Sequence, residues 1–538
     1  MKVVIIGGAG VFGSRLADLL IRDGHDVTLA GRKAPTALAR ELGAQAIKLD
    51  RSGDLAPLWA LSPDVVIDAA GPFHAYGDDP YRIPRKTIDR HIHYLDLADD
   101  ADFCAGLSRL HDSAVVSGSI ALSGVSSVPA LSSAVVADLV EGADDVDTIR
   151  IAILPGNKAP RGRSVIASIL HQAGTPIEVT IDGERMRCRS WSDRRTFDLG
   201  EGRPRAAYLI RVPDLDLFPQ RFGARTVTFH AGLDLDVQGR GLAFWSWLRW
   251  QLGLPLPGWL TDLTLWLSGK LANLGRDTGG MVVEVVGRWG KDWQIRRWQL
   301  TVRDGKGPCI PGVPIRTVLR NIEAVQRGAG PAIHTLPLAS FEDSMADLPV
   351  VFERSSQSIA PLFQQVLGPS FAGLPSEVQT THAVFGPLRL TGRGSVERGK
   401  GVWSSLLATV FRFPKATDDI HVEVLKTPRP DGSEIWRRTF GRQIFTSQLR
   451  AGPNGMTERF GPLTFDLGLH VANGALHFPV TSGRLGPLPL PRWLLPRSDA
   501  REQAEYGTFR FDVALYAPIT GRKMVHYRGH LSRRGMEE

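Results

Sequence analysis

The opening residues MKVVIIGGAGVFG constrain this 538-residue chain more than any other stretch. Val3, Val4, Ile5 and Ile6 form a short continuous apolar run, the pattern of a strand buried on both faces. Gly8, Gly10 and Gly13 follow at once in G-x-G-x-x-G spacing, and Val11, Phe12, Leu16, Leu19 and Leu20 then repeat with helical period. Each glycine has a physical task. The first makes the turn, the second lets backbone approach a pyrophosphate, and the third lets helix pack on strand. Free N–H groups at the helix start then hold the anion. A second strand, Asp26 to Ala30, completes the context that such a loop requires.

That second strand selects the cofactor. A carboxylate at its end would take the ribose hydroxyls of NAD, but Ala30-Gly31-Arg32-Lys33 offers two cations and no acid. Arg32, with Lys33 beside it, can pair with a 2′-phosphate. A charge-assisted hydrogen bond of about 1.5–3 kcal/mol corresponds to a roughly ten- to hundredfold preference for NADP. Alternation continues through a third strand, Ala44 to Leu49, ending at Asp50, whose carboxylate can meet the adenine edge. A fourth at Val65 to Ile67 runs into Ala69-Ala70-Gly71-Pro72-Phe73, where the nicotinamide is expected. His93 to Leu97 and Ala114 to Val116 supply two more, for a doubly wound α/β sheet of six strands over residues 1–143.

The stretches VVIIGGAGVFG, LAGR, VVIDAAGPF, HYLDL and SGVSSVPAL resemble the saccharopine dehydrogenase-like NADP-binding family, over roughly residues 1–335. The resemblance implies NADP or NAD as cofactor and hydride transfer on imine- or enoyl-type substrates. It also implies that Gly8, Gly10, Phe12, Gly13, Arg32, Gly71 and Pro72 line the cofactor, with Asp96 near the substrate end. The amino-acid-binding signature of true saccharopine enzymes is missing.

The chemistry around that cleft is sparse. Tyr81 is followed by Arg85, not Lys, at the fourth position, so the short-chain-dehydrogenase pair is absent, and no G-x-S-x-G or H-E-x-x-H occurs. His91, His93 and Asp96 read as residues entering a strand, and no metal site is expected. Hydride transfer to C=N or C=C needs one proton donor or acceptor. Tyr76, Tyr94 and Asp96 are the candidates, with Asp96 equally able to hold loop N–H groups.

From 144 to 338 the pattern changes to alternating strands, at Thr148–Ile153, Ile177–Ile181, Val227–Leu233, Met281–Val286 and Trp298–Val302. They predict an α+β, mostly antiparallel substrate and dimerisation domain. Inside it, residues 241–275 carry Trp245, Trp247, Trp250, Trp259 and Trp266, with Pro255 and Pro257 splitting two short helices. Leu260, Leu263, Leu267, Leu271 and Leu274 form an apolar stripe on the second. Arg249 and Asp262 bracket only twelve uncharged residues, too few for the ~20 of a membrane span. Peripheral contact at a membrane interface and a buried or dimer-forming hairpin both fit.

Residues 335–352 read as a linker or a return to the first domain. From 352 to 538 a helix at Ile359–Leu367 and another at Val402–Val410 accompany seven or eight antiparallel strands, a mainly β, barrel-like domain. Turn signals separate them at Pro430-Asp431-Gly432, Pro453-Asn454-Gly455, Asn473-Gly474 and Thr520-Gly521. Here VERG, EIWRRTF, ERFGPLTF, PLPRWLLP and YRGHL resemble a domain family of unknown function that often follows saccharopine-dehydrogenase-like domains. Trp436, Arg438 and Phe440 share a strand face, and Glu458 can pair with Arg438.

Composition is that of a globular protein, 43% hydrophobic and 22% charged. The net charge of +8 is scattered, which hints at anionic small molecules or membrane surfaces and does not by itself argue for nucleic acid, so no nucleic-acid partner is expected. Three separated cysteines exclude a disulfide framework and fit a reducing compartment. The glycine loop at the very start leaves no room for a cleaved leader, so a cytoplasmic protein is expected, at most peripheral at the inner membrane face. Two functions follow. One is an NADP-dependent oxidoreductase of a hydrophobic small molecule; the other is a non-catalytic NADP-binding sensor or scaffold whose C-terminal domain binds an apolar ligand.

Overall fold

The computed structural model describes residues 1–158, 163–271, 274–411, 413–429, 431–453 and 455–533. Pro430 and Asn454 of the turn signals, and Ala272 and Asn273 of the Trp-rich segment, lie outside the described residues. The chain forms two compact units, residues 1–180 with 185–357 and residues 181–184 with 358–538.

The first unit holds the Rossmann sheet. β1 (Lys2–Ile6), β2 (Asp26–Gly31), β3 (Gln45–Lys48), β4 (Val65–Asp68), β5 (His93–Asp96) and β6 (Ile120–Ser123) are joined by a seventh strand, Gly328–Pro331. Their order is 328–331, β6, β5, β4, β1, β2, β3, and every pairing is parallel. Val3 to Ile6 and Val65 to Asp68 are buried throughout, as strands covered by helices on both faces must be. Two expectations are corrected. Ala114–Val116 belongs to a helix, His111–Ser117, with Val116 88% exposed. Two adjacent valines mimic a strand there, but Gly118 at φ 67° ends a helical turn, and the fully buried run Ile120–Ser123 comes after it. The seventh strand, GAGP, has no apolar pattern to announce it.

The return to this sheet therefore precedes the segment 335–352, which instead carries a helix, Leu338–Asp343, and the start of a strand, Val350–Ser358. That strand edges a second seven-stranded sheet with 195–197, 205–209, 226–232, 145–154, 279–289 and 292–302. Its strands 145–154 and 226–232 run parallel, and the other described pairings are antiparallel. The Ile177–Ile181 strand lies outside it, in a two-stranded sheet with Glu184–Arg189. The Trp-rich segment forms helices Asp236–Leu252 and Gly258–Lys270, with Gly253 at φ 64° and two prolines between. Helix Val313–Arg320 is pinned to the first helix, α1 (Val11–Arg22), by buried Arg316. Its guanidinium meets Asp23 at 2.7 Å and Asp347 at 2.5 Å.

The second unit is built on one thirteen-stranded antiparallel sheet. The count exceeds seven or eight because apparent single strands break: Phe465 to Val471 splits at Gly468 into Leu463–Leu467 and His470–Ala472. Asn473 (φ 52°) and Gly474 (φ 70°) make the two-residue hairpin turn read from their pairing. Topology curls the sheet round. Ala475–His477 sits near one end of the strand order and Val480–Leu485 near the other, yet only Phe478 and Pro479 separate them in the chain. The two ends must therefore approach each other, giving a barrel-like wall around an aromatic-rich core.

Candidate functional site

In an open parallel sheet, ligands bind where successive crossovers leave in opposite directions. Here that point lies between β1 and β4. The loop after β1 and the loop after β4 touch: a Cβ on Gly7 would sit 2.6 Å from Ala70 Cα. Gly7, at φ 78°, takes the left-handed turn that the spacing pattern assigned to Gly8. Gly8 is instead hemmed in by Leu29, whose Cδ2 would lie 2.9 Å from an added Cβ. Gly13 makes the close helix–strand contact, since a Cβ there would meet Gly7 O at 2.5 Å. Gly10 is exposed and caps α1 without a side chain, so the N–H groups of Val11, Phe12 and Gly13 begin the helix with no intrahelical acceptor. This cradle fits a pyrophosphate: glycine backbone, a helix N-terminus, and no acidic side chain in its first turn.

Arg32 and Lys33 follow β2 directly and are both exposed, with no ion-pair partner among the described residues. Asp50 is also exposed, beyond β3, and its carboxylate accepts from Ser52 N at 2.9 Å. Ala70 and Gly71 are half-buried and Pro72 exposed at the mouth of β4.

The three acid–base candidates gather around a pair of carboxylates. Asp68 ends β4 and Asp96 ends β5, directly opposite each other in parallel register, and both are 0% exposed. Asp96 Oδ1 accepts from Gly124 N (2.8 Å), Ser123 Oγ (2.9 Å) and Ala98 N (3.0 Å), while Oδ2 has no partner among the described residues. Burial pushes its carboxyl up to about 7, against those hydrogen bonds, and the neighbouring Asp68 adds to the rise. Burial raises Asp68 too, opposed by Arg51, whose Nη2 lies 3.5 Å away, and by Ala70 N and Tyr76 OH. Tyr76 is half-buried, donates to Asp68 Oδ1 at 3.1 Å and lies under the Arg51 guanidinium, 3.0 Å from the ring centroid. Burial and the Asp68 charge hold its hydroxyl well above the ordinary tyrosine range. Tyr94 shares the β5 face with Asp96, fully buried, and its hydroxyl has no partner among the described residues.

Tyr76, Tyr94 and Asp96 thus come together, but only Tyr76 reaches the surface of the crevice. Gly7, Arg51, Asp68 and Ser123 were not among the expected residues. Asp68 had a signal: an acid closing the otherwise apolar run VVID has to be satisfied by something local. Arg51 had none, because its contact with Tyr76 depends on how two loops fold back.

Residues 3–109 match the family model described as NAD dependent epimerase/dehydratase family, and residues 374–531 match Domain of unknown function (DUF4166). No curated protein matches the chain. Among solved structures, the TT0495 protein from Thermus thermophilus is 30% identical over 13% of this chain and 33% of its own, with TM-score 0.12, so the chain spans a third of that relative. A probable dehydrogenase from Thermotoga maritima is 11% identical over 64% of this chain and 93% of its own, TM-score 0.33. The WlbA dehydrogenase from Thermus thermophilus, in complex with NAD and UDP-GlcNAcA, is 12% identical over 64% and 92%, TM-score 0.30. The N-terminal match, the parallel sheet and the glycine cradle together are those of a Rossmann-type nucleotide-binding unit. The likeness to saccharopine dehydrogenases remains a resemblance.

Proposed function

We propose that the first unit is an NADP-dependent oxidoreductase of apolar substrates. The observation that supports the cofactor reading is the exposed cation pair Arg32–Lys33 directly after β2, unpaired among the described residues, with no acidic residue in Ala30–Lys33 to repel a 2′-phosphate. Gly8, Gly10, Val11, Phe12 and Gly13 would hold the pyrophosphate, Asp50 would meet the adenine edge, and Ala70, Gly71 and Pro72 would line the nicotinamide end. NADP, when bound, supplies or accepts a hydride.

The chain's own residues would manage the proton. Tyr76 is the donor candidate that reaches the crevice, its hydroxyl anchored on Asp68 and its ring lying under the Arg51 guanidinium; in a turnover that hydroxyl would have to turn its proton from Asp68 towards substrate. Asp96 is a positioning residue that ties the loops at Ala98 and Gly124 to the end of β5. Tyr94 packs beside it and acts through that arrangement.

Removing the proton donor should lower kcat by about 10²–10⁴-fold. Tyr76→Phe should do so with NADPH affinity unchanged, measured on a panel of apolar aldehydes, imines and enoyl compounds with 4-deuterated NADPH. Stereospecific deuterium transfer over many turnovers supports catalysis, and wild-type rates in Tyr76→Phe would remove Tyr76 from the mechanism. Tight cofactor binding with no turnover would favour the sensor reading, for which the complete burial of Tyr94 and Asp96 speaks.

The apolar substrate class and a peripheral membrane contact rest on the Trp-rich helices. Phe244, Trp247, Trp259 and Trp266 are 63%, 46%, 64% and 60% exposed, while Leu242, Ala243 and Trp245 pack on the cluster around Trp191 and Tyr208, so the hairpin turns one aromatic face to solvent. Among the described residues no helix is long and apolar enough to cross a membrane. Trp with nearby Arg and Lys suits an interface. The protein should float with anionic liposomes, and Trp259→Ser with Trp266→Ser should abolish flotation. Dimerisation without flotation would assign the patch to a second copy of the chain instead.

A further inference from the structure

The barrel-like sheet of the second unit encloses a cavity of about 420 Å³. That volume falls within the roughly 300–1,000 Å³ usual for ligand sites. Its wall is contributed by strands all round the sheet and is overwhelmingly apolar, with Val422, Leu449, Phe465, Val480, Val513 and Leu515 among the lining residues.

One end is closed. Lys426, Glu502 and Thr381 line it, and His382 stands behind them, fully buried against Phe363 with ring centroids 3.7 Å apart. The ionic groups there are matched internally: His382 Nε2 to Glu502 at 2.5 Å, Lys426 Nζ to Thr381 O at 2.7 Å, and Arg438 to Glu458 at 3.0 Å. Lys426 Nζ also lies 3.9 Å from the Trp436 ring centroid. Lys426 is held by the Thr381 carbonyl and the Trp436 ring, within the fields of Glu502 and Glu434, and not by a direct ion pair, so the interior cations are engaged by the protein's own groups and not displayed to a headgroup.

The other end is open. The strand Thr417–Pro428 carries Lys426 near its finish, and the helix Val402–Val410 precedes its start. At about 3.3 Å per residue, Thr417 and Lys426 are roughly 30 Å apart. At the Thr417 end Trp403 lines the cavity while remaining 38% exposed, so the cavity reaches solvent there. Trp403 Nε1 donates to Pro518 O at 3.2 Å, and Ile519 N donates to Trp493 O at 3.2 Å, which ties three segments into one rim. The rim is apolar on its outer side as well: Val402, Leu406, Trp493 and Ile519 are 89%, 52%, 63% and 65% exposed. Apolar exposure continuous with an apolar interior is what a site filled from a hydrocarbon phase requires.

We propose that this cavity binds the hydrocarbon part of a lipid, entering past the Trp403–Trp493–Ile519 rim from a membrane surface, with any charged headgroup left outside. The assignment uses only the second unit and does not depend on the oxidoreductase reading.

The test uses the full chain and the neutral fluorophore N-phenyl-1-naphthylamine. Saturable binding at one site per chain is expected, weakened at least tenfold by Val513→Trp, which fills the cavity. Leu515→Trp serves as a second filling variant should the first fail to fold, judged by circular dichroism and a cooperative melt. Trp493→Ser with Leu406→Ser should leave binding of the dissolved probe intact but slow its transfer from phosphatidylcholine vesicles. Absence of saturable binding overturns the proposal. So does equal binding by wild type and a folded cavity-filled variant, which would place the probe elsewhere, as on the Trp-rich hairpin. Unchanged transfer in the rim variant overturns the route of entry.

Discussion

Asp96 shows how a single residue can serve geometry at an electrostatic cost. One oxygen collects three hydrogen bonds while the other collects none, and burial lifts the carboxyl to about 7. A folded-state value above the unfolded one means that Asp96 favours folding fully below pH ~4, and that this contribution is lost as pH rises through about 7. Asp96→Asn keeps the accepting oxygen and removes the ionisation. Its stability relative to wild type, read by denaturant unfolding, should therefore rise between pH 5 and pH 8 by on the order of a few kcal/mol. A constant offset across that range would mean the carboxyl titrates normally. Gly13 is the opposite case, a residue chosen for what it lacks. Gly13→Ala puts a methyl 2.5 Å from Gly7 O and should lower both NADPH affinity and thermal stability, read by calorimetry and melting.

At the scale of elements, the glycine loop, the helix at 111–117 and the Arg316 anchor differ in how far they can be read from the chain. The strand–loop–helix at the start was legible because burial on both faces, glycine spacing and helical period coincide within twenty-two residues. The helix at 111–117 was not, because its exposed Val115 and Val116 imitate a strand. The anchor was invisible for another reason: Arg316 and Asp23 are 293 positions apart. Removing one partner from a buried ion pair typically costs about 3–5 kcal/mol, so Arg316→Ala should cause a loss of that size in denaturant unfolding. Burial alone would raise Asp23, but the hydrogen bonds from Arg316 and Arg320 outweigh it and hold its carboxyl far below the usual range. That depressed value contributes stability above pH ~4 that disappears as pH falls, and the Arg316→Ala variant should lose the Arg316 share of this acid sensitivity while Arg320 keeps the rest.

Across the whole molecule, two units with different physics share one chain. The first is organised around backbone groups aimed at an anion, the second around a wall of apolar side chains enclosing space. Fold class was readable in both, since alternation of helix with buried strand and of apolar with polar residue are local signals. The fine structure of each site was less so. Asp68 opposite Asp96 depends on parallel register, and the cavity depends on curling that brings residues 477 and 480 together from distant places in the strand order. Preference for NADP is the property on which the function of the first unit turns. The direct test is calorimetric titration of the full chain with NADPH and with NADH, for wild type and Arg32→Ala. The prediction is tight NADPH binding, weaker NADH binding, and a ten- to hundredfold loss confined to NADPH in the variant, corresponding to about 1.5–3 kcal/mol. Equal affinity for the two nucleotides, or equal loss of both on removing Arg32, would contradict it.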